Sequence, residues 1–196
     1  ISANTGLLLR NSDSVRYIPD NLNGETAFFT FTAWDQTSGT AGQTGNPAVA
    51  GGSTAFSTAS EFATLLVTSI NDAPVLDNSG TPNWIGSTED ATTAGELVAS
   101  MLATGAAGNP ITDVDNLAVE GVAISAISGN GTWQYNTGSG YTTFPTVNAN
   151  TTLLLRAADS VRYVPDQLNG ETALMTFIAW DQFSGSAGQT VDPNPN

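Results

Sequence analysis

The stretch Ser14-Val15-Arg16-Tyr17-Ile18-Pro19-Asp20 occurs twice in this chain, because residues 160–166 have the sequence Ser-Val-Arg-Tyr-Val-Pro-Asp. The two stretches belong to a longer internal repeat. Residues 1–44 align without gaps with residues 147–190 at an offset of 146, and 32 of the 44 positions are identical. All four Arg lie inside the repeated block. A repeat of this length indicates tandem copies of one structural unit.

The repeated block and the residues around it have the alternation that is typical of β-strands. Residues 26–34 have period two with apolar residues on both faces, as in a sandwich strand, and residues 14–20, 119–127 and 132–135 follow the same pattern. Residues 136–140 predict a hairpin loop. Residues 96–103 fit either a short helix or a strand, and Asn23-Gly24 predicts a turn with positive φ. We therefore predict an all-β fold, an antiparallel β-sandwich of Greek-key type in tandem repeats of about 146 residues.

The segment Asn71-Asp72-Ala73-Pro74 predicts the boundary between two units, since Pro74 holds the preceding residue in an extended conformation. Residues 1–70 are then the C-terminal part of one repeat, and residues 71–196 are the following repeat. Residues 54–70 predict a closing strand that has no counterpart in the second copy. We expect the chain to be a piece of a longer array, in contact with neighbouring repeats. Its open edge is suited to homo-oligomer formation or strand exchange.

The composition excludes several classes of function. Four Arg and no Lys stand against 18 acidic residues, giving a net charge of −14, and the chain has no His and no Cys. Without these side chains there is no Ser-His-Asp triad, thiolate nucleophile, Schiff-base lysine or imidazole–thiolate zinc site. The negative charge argues against nucleic-acid and membrane-surface partners. The remaining oxygen ligands suit hard cations such as calcium.

Acidic residues lie in four places where oxygen ligands could gather. They are Asn71-Asp72, Asp113-Val114-Asp115, Glu89-Asp90 and the strand-end pair Asp35 and Asp181. Each also has a simpler interpretation: Asp113 and Asp115 fit a solvated turn, and Glu89 fits a capping turn after Ser87. Calcium takes six to eight oxygens, so no single place is sufficient. An EF-hand is excluded, because Leu117 and Ala118 occupy the third-ligand and glycine positions.

Three motifs together resemble the cadherin-like tandem repeats of large bacterial surface adhesins. They are Tyr17-Ile18-Pro19-Asp20-Asn21-Leu22-Asn23-Gly24, the aromatic strand ending in Trp34-Asp35, and Leu66-Val67-Thr68-Ser69-Ile70-Asn71-Asp72-Ala73-Pro74. The resemblance implies a cadherin-like or immunoglobulin-like sandwich on the cell surface or in the secreted fraction. It also implies calcium at the complete junction, held by Asn71, Asp72, Asp113, Asp115 and Asp181, with Asp35 and Glu89 at further junctions. The 146-residue period is longer than a plain cadherin domain, and an Asp-x-Asn-Asp-Asn linker is absent from the sequence.

We therefore expect a non-enzymatic extracellular spacer repeat of a bacterial adhesin, stiffened by calcium and supporting cell adhesion or fibre assembly. An alternative is a carbohydrate-binding sandwich that presents Trp84, Trp133, Tyr135 and Tyr141 to a glycan. A surface glycan or a protein ligand is the outside partner that we expect for the chain. In both cases Trp34 and Trp180 are expected in the core. A third hypothesis is a glycoside hydrolase with two catalytic carboxylates.

Overall fold

The computed structural model describes residues 1–2 and 4–194 and divides the chain into two compact units, Ile1–Ile70 and Asn71–Asn196. The boundary lies between Ile70 and Asn71, where the Asn71-Asp72-Ala73-Pro74 segment predicts the start of the second unit. The fold is nearly all β, with 35% of residues in strands, antiparallel sheets and almost no helix. In the described ranges, no helix has the length and apolar character that crossing a membrane requires.

Unit 2 contains two four-stranded antiparallel sheets. The bounds of its elements are β5 (Val75–Leu76), β6 (Glu96–Leu97), α1 (Val98–Leu102), β7 (Ile111–Thr112), β8 (Gly121–Ile127), β9 (Thr132–Asn136), β10 (Thr142–Thr143), β11 (Thr152–Arg156), β12 (Ser160–Val164), β13 (Met175–Trp180) and β14 (Thr190–Val191). The first sheet has the order β10-β9-β12-β6 and the second the order β13-β8-β11-β14, while β5 pairs with β7 in a two-stranded ribbon. A 3₁₀ turn spans Ala106–Gly108.

Both sheets contribute to one hydrophobic core, which is consistent with a β-sandwich. The second sheet supplies residues of β8 and β11, the first sheet supplies Trp133 and Val161, and α1 closes one side with Val98, Met101 and Leu102. The predicted strand at residues 119–127 and the hairpin around residues 136–140 are confirmed, with β9 and β10 pairing Tyr135 with Thr142. Residues 96–103 contain both a short strand and a short helix, since β6 leads directly into α1.

Unit 1 has fewer paired strands and a more exposed apolar surface. Its bounds are β1 (Gly6–Leu7), β2 (Glu25–Trp34), β3 (Thr44–Gly45) and β4 (Phe56–Val67). Strand β4 confirms the predicted closing strand and pairs antiparallel with β2, from Glu25 opposite Val67 to Trp34 opposite Phe56. Apolar side chains of this two-stranded ribbon are 46–71% exposed: Phe28, Phe29, Phe31, Phe62, Leu65 and Leu66.

The prediction of a strand at residues 14–20 is right in one copy and wrong in the other. Residues 160–164 form β12, which lies between β9 and β6. Residues 14–20 lie outside any strand and are not part of the described sheets of unit 1, β1-β3 and β2-β4. Because β-structure depends on cross-strand partners more than on intrinsic preference, the same sequence adopts two conformations.

The predicted turn at Asn23-Gly24 is correct in kind but wrong in its position of positive φ. The left-handed residues are Asn21 (φ 64°) and its counterpart Gln167 (φ 65°). Asp20 accepts a hydrogen bond from the Leu22 N–H at 3.0 Å, and Asp166 accepts one from the Leu168 N–H at 3.1 Å. This Asx turn satisfies the backbone without using the glycine.

Candidate metal centre

The aspartates at 113 and 115 form a turn that receives the start of unit 2. The Asp115 N–H donates to Asp113 Oδ1 at 2.9 Å, and the Asp72 N–H donates to Asp115 Oδ2 at 2.8 Å. The pairing of β5 with β7 brings Asp72 and Asp115 together. In an antiparallel pair the residues before one strand run beside the residues after the other, and Val75 pairs with Thr112. Asp72 is thereby placed next to Asp115.

Asp181 follows the last residue of β13 and joins the same set through Asn71. The Asn71 side-chain N–H donates to Asp181 Oδ2 at 2.7 Å and to the Asp72 carbonyl at 3.1 Å. The Phe183 N–H donates to Asp181 Oδ1 at 3.0 Å. Hydrogen bonds therefore link all five residues that the resemblance assigned to the complete junction: Asn71, Asp72, Asp113, Asp115 and Asp181. We call these five residues the junction set.

One oxygen of the junction set is buried without a partner. Asp115 Oδ1 makes no hydrogen bond, whereas Asp115 Oδ2 accepts the Asp72 N–H. Asp113 and Asp115 line a cavity of about 230 Å³ together with Pro74 and Glu120. An unsatisfied buried carboxylate oxygen is unfavourable for the folded chain, and a cation or a water molecule is the kind of group that would satisfy it.

The chemistry of the junction set fits a hard cation, since it offers carboxylate, amide and backbone oxygens and no sulfur or imidazole. Its carboxylates are held by N–H donors rather than grouped around one point. In residues 1–2 and 4–194 there is no group of three or more His, Cys, Asp or Glu side chains placed to hold a metal ion. Asn71 and backbone oxygens would therefore have to contribute to any calcium site at this place.

The structure does not bring Glu89 to the junction set. Glu89 lies in a turn at residues 89–90, where the Ala91 N–H donates to the Thr88 carbonyl at 3.2 Å, and it lines a different cavity. Residues 88–91 thus form a turn, but no helix begins there, and the Ser87 hydroxyl donates to the Ala91 carbonyl and caps no backbone N–H, so only the turn part of the simpler interpretation is found.

Asp35 lies in unit 1 at the end of β2. Its Oδ1 accepts the Thr37 hydroxyl at 2.7 Å and the Thr37 N–H at 2.8 Å. These two bonds hold the pKa of Asp35 below its ordinary value. Asp181, its counterpart, is bonded in the same way to the N–H two residues later. Both strand-end aspartates therefore close a local turn in addition to any other role.

The aromatic residues considered for glycan binding belong mainly to the core. Trp133 is 6% exposed, donates its indole N–H to the Ser128 carbonyl at 2.9 Å and lies against Trp84, Phe144 and Tyr163. Trp84 and Tyr135 are partly buried against the same core. Tyr141 is covered by the Arg162 guanidinium at 4.0 Å from the ring centre. Trp180 is buried as expected, whereas Trp34 is only half-buried.

Sequence reasoning missed a second polar cluster, at the other end of β13. Glu171 accepts the Tyr163 hydroxyl and the N–H groups of Asn130 and Gly131. These donors, with the Tyr163 hydroxyl first, hold the pKa of Glu171 below its ordinary value, while burial and the Glu171 bond raise the pKa of Tyr163. Unit 1 repeats the pair, since Tyr17 donates to Glu25. The sequence signal that could have identified this cluster is a Tyr followed by a Glu eight residues later in both copies.

Known proteins offer no comparison for this site. No protein-family model matches the chain, and searches of characterised proteins and of solved structures find no significant match.

Proposed function

We propose that this chain is a non-enzymatic, extracellular spacer repeat of a bacterial surface adhesin, in which the junction set binds calcium and fixes the start of each repeat to its own sandwich. Neighbouring repeats would then be held in an ordered array that supports cell adhesion or fibre assembly. One observation carries the proposal. Three segments far apart in sequence, residues 71–72, 113–115 and 181, converge on the point where unit 2 begins.

The charge of the junction set supports a cation at this position. Asp72, Asp113, Asp115 and Asp181 bring four formal negative charges to one end of unit 2, and the ion pairs found within residues 1–2 and 4–194, Arg10–Asp13 and Arg156–Asp159, involve none of them. The N–H donors stabilise part of this charge, and Asp115 Oδ1 is left without a partner. A bound calcium ion would supply positive charge and accept oxygen ligands from all three segments.

Calcium dependence of stability is the direct test. A ligand that binds only the folded state stabilises it by about 2.7 kcal/mol when its concentration is a hundredfold above Kd. For a unit of this size that corresponds to an increase in Tm of roughly 10 °C. We expect calorimetric melting in calcium to show this increase relative to chelator, and isothermal titration to show one site per complete junction.

Two variants and a control assign the site. Asp115→Asn and Asp181→Asn should each remove most of the calcium-dependent increase in Tm. Asp90→Asn changes the charge by the same amount in an exposed turn and should leave the increase intact. Equal Tm values in calcium and chelator, or an increase that survives both junction variants, would refute the calcium part of the proposal.

A further inference from the structure

Gln182, which follows Asp181 in the chain, bonds the segment on the other side of the junction set. Its side-chain N–H donates to the Glu120 carbonyl at 2.6 Å. Glu120 is the residue before β8, and it lines the same cavity as Asp113 and Asp115. This contact therefore connects the Asp181 side of the junction set with the side that carries the other two aspartates.

The contact continues the β13–β8 ladder beyond its last backbone pair. The two strands pair antiparallel up to Trp180, which lies opposite Gly121. In a continued ladder the next two residues, Asp181 and Glu120, would lie opposite each other. The chain leaves the sheet at this point, because Gln182 has a left-handed backbone with φ 62°. Its side-chain amide then supplies a bond to Glu120 that the backbone pairing no longer provides.

Two hydrogen bonds that span Gln182 fix its turn. Asp181 Oδ1 accepts the Phe183 N–H at 3.0 Å, and the Trp180 indole N–H donates to the Ser184 carbonyl at 2.8 Å. A residue other than glycine is unfavourable in the left-handed region and persists only where its surroundings determine it. Glycine would adopt this conformation without strain, but it has no amide side chain to donate.

The acceptor of the Gln182 bond is itself held from two further directions. The Ala157 N–H, directly after β11, donates to the Glu120 carbonyl at 3.2 Å, and the Asn109 side-chain N–H donates to Glu120 Oε1 at 2.6 Å. Donors from three separate segments thus hold one residue. The bond from Gln182 therefore determines the position of its turn relative to a fixed part of the fold.

The three segments of the junction set are in this way bonded in pairs. The Asn71 side-chain N–H donates to Asp181, and the Asp72 N–H donates to Asp115. The bond of Gln182 is the third connection, from the turn after β13 to the segment between β7 and β8. Of the three connections, it is the one that joins the two aspartate turns without passing through residues 71–72.

We propose that Gln182 is a positioning residue for the cation site, because its amide holds Asp181 in a fixed position relative to Asp113 and Asp115. The inference rests on the proposed function, since it concerns the calcium that the junction set binds. Groups that orient metal ligands without contacting the metal contribute to its affinity. A Gln182 side chain that only closed the end of the sheet would contribute to stability and leave the calcium affinity unchanged.

Two substitutions in the full chain separate these roles. Gln182→Met keeps the length of the side chain and removes the donor, whereas Gln182→Gly removes the donor and also relieves the left-handed backbone. We expect both to raise the Kd for calcium by roughly 10- to 100-fold in isothermal titration. In chelator, the Tm of Gln182→Gly should stay close to that of the unaltered chain, because the relieved strain offsets the lost bond.

Gln167 provides the matched control. It has the same left-handed backbone, with φ 65°, and its side chain is exposed. It also lies in the same kind of turn, since Asp166 Oδ1 accepts the Leu168 N–H at 3.1 Å as Asp181 Oδ1 accepts that of Phe183. Gln167→Met and Gln167→Gly change the same side chain in the same backbone conformation without removing the bond to β8, so the Kd should not change.

Amide hydrogen exchange provides a readout without calcium. The Phe183 N–H is bonded to Asp181 Oδ1 and so reports on the turn that Gln182 holds. In chelator we expect this N–H to exchange faster in Gln182→Met than in the unaltered chain, whereas Gln167→Met leaves it unchanged. Unchanged exchange in Gln182→Met would contradict the positioning role.

The calcium titrations distinguish failure of the positioning role from failure of the proposed function. If the unaltered chain binds calcium and both Gln182 variants have the same Kd, the positioning role is wrong and the junction site stands. An equal loss of affinity in the Gln182 and Gln167 variants would also overturn the positioning role, because the loss would then not depend on the bond to Glu120. If the unaltered chain binds no calcium, the proposed calcium site is wrong, and the positioning role is wrong with it.

Discussion

Leu155 and Leu9 occupy the same position of the repeat but lie in different surroundings, and we predict that shortening them has different effects. Leu155 is in β11, is 0% exposed and belongs to the core of unit 2. Leu9, its counterpart 146 residues earlier, is 39% exposed in unit 1. Both follow two leucines and precede an arginine, so local sequence is controlled.

The size of the effect follows from burial. Leu155→Ala removes a completely buried side chain and leaves a cavity between the sheets, which costs about 3 kcal/mol of unfolding free energy. Leu9→Ala removes a side chain that is already partly hydrated and opens onto solvent, so only part of the transfer free energy, about 1 kcal/mol, is lost.

Urea unfolding followed by tryptophan fluorescence measures the difference, since Trp84, Trp133 and Trp180 all report on unit 2. We expect Leu155→Ala to lower the midpoint of this transition strongly at unchanged m-value, and Leu9→Ala to leave it in place. Equal destabilisation by the two variants would mean that residues 1–44 are as well packed as residues 147–190, and would refute the assignment of different environments.

Two further predictions concern polar groups of unit 2. Because hydrogen bonds lower the pKa of Glu171 from its ordinary value of 4.5, its carboxylate stabilises the fold above that pH and loses this contribution as the pH falls through the lowered pKa. Glu171→Gln should flatten the dependence of Tm on pH below 4.5, and an unchanged acid limb would contradict this. Asn136 Oδ1 accepts the N–H groups of Gly138 and Gly140 at 2.8 and 2.9 Å. Asn136→Ala should cost about 1 kcal/mol in urea unfolding, with Ser139→Ala as the neutral control.

The sequence predicted those parts of the fold that depend on local pattern. Alternation identified β8, and the Gly-rich residues 136–140 identified the hairpin between β9 and β10. Alternation could not predict whether residues 14–20 form a strand, since their pattern is as strand-like as that of β12. Whether such a segment forms a strand depends on neighbours contributed by distant parts of the chain, which no local window contains.

The grouping of the junction set came from the resemblance, whereas the bonds within it are known only from the structure. The resemblance grouped Asn71, Asp113 and Asp181, and the structure links them. That the Asp72 backbone N–H, rather than its carboxylate, would contact Asp115 follows only from the β5–β7 register. Asp115 Oδ1 is buried without a partner, and sequence spacing carries no information about this.

The two copies of the repeat act as an internal control on what local sequence determines. Arg10 bonds Asp13 at 2.9 Å and Arg156 bonds Asp159 at 2.7 Å, and both Trp34 and Trp180 donate their indole N–H to the carbonyl four residues later. These contacts span four residues or fewer and form in both copies. Burial differs between the two copies although these local contacts are the same, since Val161 is 1% exposed and its counterpart Val15 is 62% exposed. The local contacts are therefore set by sequence, whereas burial depends on packing partners: Val161 lies in β12 between β9 and β6, and Val15 lies outside any strand.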